Sequence, residues 1–301
     1  MLVTIFFEDE HEGLYLYMQL KNLLGNKNFA RSNSIYIQFT ESNALEIGIK
    51  KDDPISDMVK PSILRLIARH IIETNEDDWV IHNLEQNFYY TDEDEQQQIL
   101  TIVQTLLDGE NRDIPEILNF PSREEVIIES LNDFFMNQIM FSYESFLQFR
   151  LKQYHEQLSK YIECAIDEYK LEQEYQEFVH MLRQLIKEKA SLFSVVHLVH
   201  QGEDYRLLNE HYYELTKADI KHLISFNDYA KTFSIASELL KLLINLAPGK
   251  LFLYTKDEDA SMNQTILNVF QERVQILPYS NFEVQKGFGK NGRSIGLDFP
   301  G

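Results

Sequence analysis

Residues 122–190 read SREEVIIESLNDFFMNQIMFSYESFLQFRLKQYHEQLSKYIECAIDEYKLEQEYQEFVHMLRQLIKEKA, with neither Gly nor Pro among them. Apolar and aromatic residues recur at helical spacing throughout, which predicts long helix and makes this stretch the organiser of the fold. Its entry is marked by Pro121 and then Ser122-Arg123-Glu124-Glu125, a capping box in which the Ser hydroxyl and the Glu125 carboxylate each satisfy an open amide. Leu151, Tyr154, Leu158, Tyr161 and Ala165 step by three and four. After a break at Glu168 and Glu172 the phase resumes with Tyr175, Val179, Leu182 and Ile186. Such a stripe needs something to pack against, so Tyr161, Tyr175 and Leu182 form the candidate interaction surface. Ser142 and its neighbours offer fresh capping residues, and 169–174 interrupt the stripe. The stretch therefore divides into two or three helices, and a helical hairpin fits the pattern as well as one rod.

Upstream, residues 3–7 are β-branched and aromatic and give way to Glu8-Asp9-Glu10, a strand leading into a helix that Gly25 closes. Residues 35–39 and 45–49 alternate apolar with other residues around Glu41-Ser42-Asn43, a hairpin. Pro54 opens a helix with an apolar face at Ile63, Leu64, Ile67 and Ile71, broken at 75–78 and followed by a short segment at 79–88. The acids at 92–95 could suggest a divalent-metal site, but acids before and inside the first turn of a helix running through Leu100, Val103 and Leu107 to Gly109 are better explained as its cap. Residues 108–119 read as an exposed connector.

Downstream the period becomes that of strands. Residues 193–199 and 205–208 flank a hairpin loop at 201–204, helical runs occupy 217–224 and 229–246, and a strand, helix and strand follow at 251–254, 260–270 and 274–277. That last unit reads as β-α-β. Five of the 11 glycines fall after Gln285, which predicts a flexible tail.

The whole chain carries 28 basic and 48 acidic residues, a net charge of −20, and the first 121 residues hold 22 of the acids against 9 bases. No basic cluster could neutralise phosphates, which disfavours nucleic acid and anionic lipid as partners. Cys164 is the single cysteine, which excludes an internal disulfide and fits a reducing compartment. The opening residues do not read as a signal peptide, and no run is long and apolar enough for membrane insertion. A cytoplasmic location is expected.

No catalytic, cofactor or metal site stands out. Gly287-Phe288-Gly289-Lys290-Asn291-Gly292 matches a bare G-x-G-x-x-G, but it lacks the strand, helix and later acid that a dinucleotide turn requires. His197, His200, His211 and His222 invite a zinc reading. In a strand, however, residues three apart face opposite ways, so His197 and His200 could not share one ion. Acidic neighbours discourage a Cys164 thiolate.

The run Phe146-Leu147-Gln148-Phe149-Arg150-Leu151-Lys152-Gln153-Tyr154, continuing through Ala165-Ile166-Asp167-Glu168-Tyr169 and Glu174-Tyr175-Gln176-Glu177-Phe178, resembles the YtxC-like family of endospore-forming bacteria. Residues 242–248 are similar too, and the resemblance covers most of the chain up to Phe282. It implies a cytoplasmic protein with a role in sporulation, and it supplies no catalytic residues.

The expected fold is α+β and predominantly helical, with long central helices flanked by small N-terminal and C-terminal α/β units. The expected divisions are an acidic unit at 1–120, the long-helix region at 121–190, an α/β unit at 191–282 and a flexible Gly-rich tail at 283–301. The expected function is non-enzymatic protein–protein interaction in sporulation, with another protein or with itself and without a cofactor. The alternative is an unrecognised enzyme or nucleotide-binding protein with a non-standard site.

Overall fold

The computed structural model describes residues 2–25, 35–50, 54–109, 114–137, 140–202, 204–215 and 238–290. The fold is α+β, with 63% of the described residues helical, and the chain divides into two compact units, Met1–Leu171 and Glu172–Gly301. This boundary falls inside the longest helix, not at either border of the central region expected from sequence. The helical run expected at 217–224, and the start of the one at 229–246, lie outside the described residues.

In the first unit, β1 (Leu2–Phe6) leads to α1 (Glu10–Gly25), and β2 (Ile35–Phe39) and β3 (Ala44–Ile49) form the expected hairpin. Asn43 sits in the turn at φ 54°, a left-handed conformation that its short amide side chain tolerates. The next element differs from expectation, because α2 (Pro54–Phe88) runs through 75–78 without a break. Its inward residues step from Ile63, Ile67 and Ile71 to Glu76, Val80 and Leu84, so the polar stretch holds a buried carboxylate on the core side and solvated residues elsewhere.

Asp92 caps α3 (Glu93–Leu107) by accepting from the Glu95 amide at 3.0 Å. The capping box before α4 (Arg123–Asn137) forms both of its bonds, Glu125 N–H to Ser122 Oγ and Ser122 N–H to Glu125 Oε2, each 3.2 Å. The division expected near Ser142 is present, but a three-residue strand not expected from sequence, β4 (Met140–Ser142), occupies it and pairs in parallel with β1. Ser142 caps α5 (Tyr143–Arg150), and α6 (Lys152–Glu188) follows without a break at 169–174.

The first sheet has the order β2-β3-β1-β4, with β3 antiparallel to both of its neighbours. Val3, Ile5 and Phe7 join Leu45, Ile47 and Ile49 on one face, and the helices pack there. A Cβ on Gly13 of α1 would stand 2.7 Å from the Phe39 ring and 3.0 Å from Phe7, so that helix rests directly on this face.

The second unit contains the rest of α6, the hairpin β5 (Val195–Gln201) and β6 (Asp204–Asn209), α7 (Glu238–Leu246), β7 (Lys250–Thr255), α8 (Ser261–Phe270), β8 (Val274–Pro278) and α9 (Tyr279–Lys290). The sheet order is β6-β5-β7-β8, with β5, β7 and β8 parallel, so the expected β-α-β unit is present as β7-α8-β8. α9 runs to Lys290, into the segment from 283 expected to be a flexible tail, and its start carries buried Tyr279 and Phe282 beside Tyr254. Gly287 and Gly289 therefore lie in a helix, and Gly292 lies outside the described residues.

Four segments of the first unit meet at Glu76. Its carboxylate accepts from Tyr154 Oη and pairs with Arg123 Nη1 at 2.6 Å, and Arg123 Nη2 reaches Asp108 at 3.0 Å. Trp79, the protein's single tryptophan, lies beside them with its ring 5.6 Å from Tyr154 and 4.7 Å from His155. Arg123→Ala would strand the Glu76 charge in the core, so it should lower the stability of this unit by about 2–3 kcal/mol. Urea unfolding followed by Trp79 fluorescence measures the loss, and an unchanged midpoint would show that the ion pair contributes nothing.

Candidate functional site

The three stripe residues do not meet. Tyr161 lies in the first unit, half-buried, with its ring edge-on to Phe120 at 5.9 Å. Tyr175 and Leu182 lie in the second, where Asn268 Nδ2 donates to Tyr175 Oη at 2.9 Å and Leu182 is fully buried. Their spacing serves two separate cores, and Leu182 offers no surface at all.

The buried polar groups of the second unit satisfy one another. His200 Nε2 donates to the Gly202 carbonyl at 2.7 Å, which leaves Nδ1 to accept from Asn263 Nδ2 at 3.0 Å. Tyr205 stacks on His200 at 4.4 Å and donates to Asn263 Oδ1 at 3.0 Å, while Thr255 Oγ1 donates to the Asp257 carbonyl. His197, on the opposite face of β5, stacks between Tyr212 and Phe252 with Nδ1 3.1 Å from Tyr254 Oη. These networks position strands and the start of α8. Among the described residues no group of three or more His, Cys, Asp or Glu side chains could hold a metal ion. His222 lies outside them.

In the first unit, burial and the carboxylates of Glu116, Asp167 and Glu163 push the Cys164 thiol up, away from nucleophilic use. His70 is buried with no hydrogen bond at either ring nitrogen, and its nearest acid is Glu12, 3.7 Å from Nε2. It lines a groove of about 520 Å³ between α1 and α2 together with Arg65, Arg69 and Glu73, a mixture of charges that selects no ligand.

Among the described residues, the second face of the first sheet is partly open, with Thr4 and Ala44 buried on it and larger side chains exposed. Side chains alternate across a sheet, so the residues opposite the core-facing set share this face. Pairing arranges them in three rows: Tyr36, Gly48 and Leu2; then Gln38, Glu46, Thr4 and Met140; then Ala44, Phe6 and Ser142. Leu2, Phe6, Tyr36 and Met140 are between 40% and 71% exposed. A Cβ on Gly48 would fall 2.0 Å from the Tyr36 ring, so the absence of a side chain there lets Tyr36 lie flat across the hairpin. Single exposed apolar residues are ordinary on a protein surface, whereas four on one sheet face form a patch of the kind that binds partners.

Sequence reading passed over these residues. A signal was present, since β1 and β2 carry large apolar or aromatic side chains at both alternating positions, where a sheet wetted on one side would put polar ones. Met140 gave none, because its strand is hidden in a helical pattern.

Two expectations follow from this placement. Leu182→Ala should cost the second unit about 2–5 kcal/mol, read as faster amide exchange in β5 and β7 while the Trp79 transition stays in place. Unchanged exchange would show that Leu182 is not core. Burial also holds His197 below the ordinary 6.5 in the folded chain. The fold therefore disfavours its protonation, and its contribution is intact above about pH 6.5 and is lost as the pH falls below that value. His197→Phe should flatten this acid-side loss in thermal melts, and equal slopes in both proteins would refute it.

The described helices include none long and apolar enough to cross a membrane. The profile of the YtxC-like family matches residues 61–275. The chain is 33% identical over 285 residues to "Uncharacterized protein YtxC" of Bacillus subtilis (strain 168), covering 93% of this chain and 96% of that protein. No solved structure matches.

Proposed function

This chain belongs to the YtxC-like family, and we propose that it is a cytoplasmic, sporulation-associated protein that acts by binding another protein, without catalysis. The observation that carries this reading is the bare second face of the first sheet, with Leu2, Phe6, Tyr36 and Met140 exposed on it. A sheet stacked against helices on one side gains stability from burying its other side, and a partner can supply that burial. The sporulation role rests on the association of the family with endospore-forming bacteria.

Charge supports a protein as the partner. The first unit holds 31 acidic against 14 basic residues, a net −17, whereas the second holds 17 against 14, a net −3. A phosphate backbone would be repelled from the unit that bears the patch.

Tyr36→Glu and Leu2→Glu separate binding from folding, since both residues are about half exposed. Each should shift the Trp79 unfolding transition by less than about 1 kcal/mol and still lower sporulation efficiency sharply. Normal sporulation in both variants would overturn this assignment.

A further inference from the structure

Glu46 is the one charged residue on the four strands of the first sheet, and it stands in the middle row of the bare face. It is half-buried between Thr4 and Gln38, and it forms no hydrogen bond or ion pair among the described residues. The apolar rows of Tyr36 with Leu2 and of Phe6 with Ala44 lie on either side of it. A carboxylate in that setting is already partly desolvated, so covering the face with an apolar surface alone would bury an unpaired charge at a cost of several kcal/mol. Whatever covers this face must bring a cation to its centre.

We infer that the partner element is a basic amphipathic helix laid along the strands, with a Lys or Arg over Glu46 and an apolar residue on each side of it. This deepens the docking role assigned above and rests on it. The spacing follows from the two lattices. Same-face residues two apart on a strand are separated by about 6.6 Å, and four residues of helix rise about 6 Å. The matching pattern is an apolar residue, a Lys or Arg four positions later, and a second apolar residue four beyond that. The net −17 of the first unit attracts the same helix at long range. An added strand is less suitable, because the exposed side chains project from the face, whereas strand addition uses the backbone of an edge.

The test places the photo-crosslinking residue p-benzoylphenylalanine at Tyr36, and separately at Phe6, in the full chain expressed in sporulating cells. Crosslinked peptides are then sequenced. The expected result is a segment of a second protein carrying the stated spacing. Its crosslink yield should fall about tenfold or more in Glu46→Lys, which must keep its Trp79 transition, and should return when the partner's cation is reversed to Glu. A segment without a central cation, a yield unchanged in Glu46→Lys, or a crosslink to a second copy of this chain would overturn the basic helix while leaving the face a docking surface. No crosslink from either position would overturn the docking role itself.

Discussion

A buried carboxylate sets the terms for the first unit. Glu76 can sit in the core only because Tyr154 and Arg123 hold it, and each partner comes from a different helix. Burial pushes its carboxyl above the usual range, while the Tyr154 hydroxyl and the Arg123 guanidinium pull it back. Tyr154 is in turn driven well above the ordinary phenol range, by burial and then by the neighbouring carboxylate, so it remains a donor at any physiological pH. This geometry needs α2 unbroken through 75–78, α4 beginning at Arg123 and α6 beginning early enough to present Tyr154. An ion pair of this kind contributes little net stability compared with an apolar replacement, but it fixes which helices may be neighbours.

With those helices fixed on one face of the first sheet, Leu2, Phe6, Tyr36 and Met140 stay exposed on the other. The same economy is absent from the second unit, where α6, α7 and α8 bring apolar residues to the core around Leu198 and Leu253, and α9 seals Tyr254 and Val199. The two units therefore differ in what they leave for other molecules. Among the described residues, the second ties His200, Asn263 and Tyr205 to one another, whereas the first keeps exposed apolar side chains and one carboxylate on a sheet face.

Membership of the YtxC-like family does not by itself name an activity, and the Bacillus subtilis relative is described only as uncharacterised. Aromatic stripes at helical spacing make poor guides, because a residue such as Leu182 sits where a partner contact would be drawn and is fully buried by its own unit. Sheet faces make better ones, since the period of two assigns every side chain to a face once the register is known.

Local chemistry in the sequence determined the caps, the hairpins, the β-α-β unit and the helical character of most of the chain. Ser122 and Glu125, Asp92, and Asn43 act through atoms within a few residues of themselves, and such interactions survive any tertiary arrangement. Tertiary structure decided what depends on distant partners. Residues 75–78 look like a break until Arg123 and Tyr154 arrive to pair with Glu76, and residues 140–142 look helical until β1 offers them an edge to pair with. The stripe along α6 looks like one surface until two cores divide it. The bare face likewise came into view only with the register of β1, β3 and β2, because which side chains share a face is a property of pairing between strands and not of any strand alone.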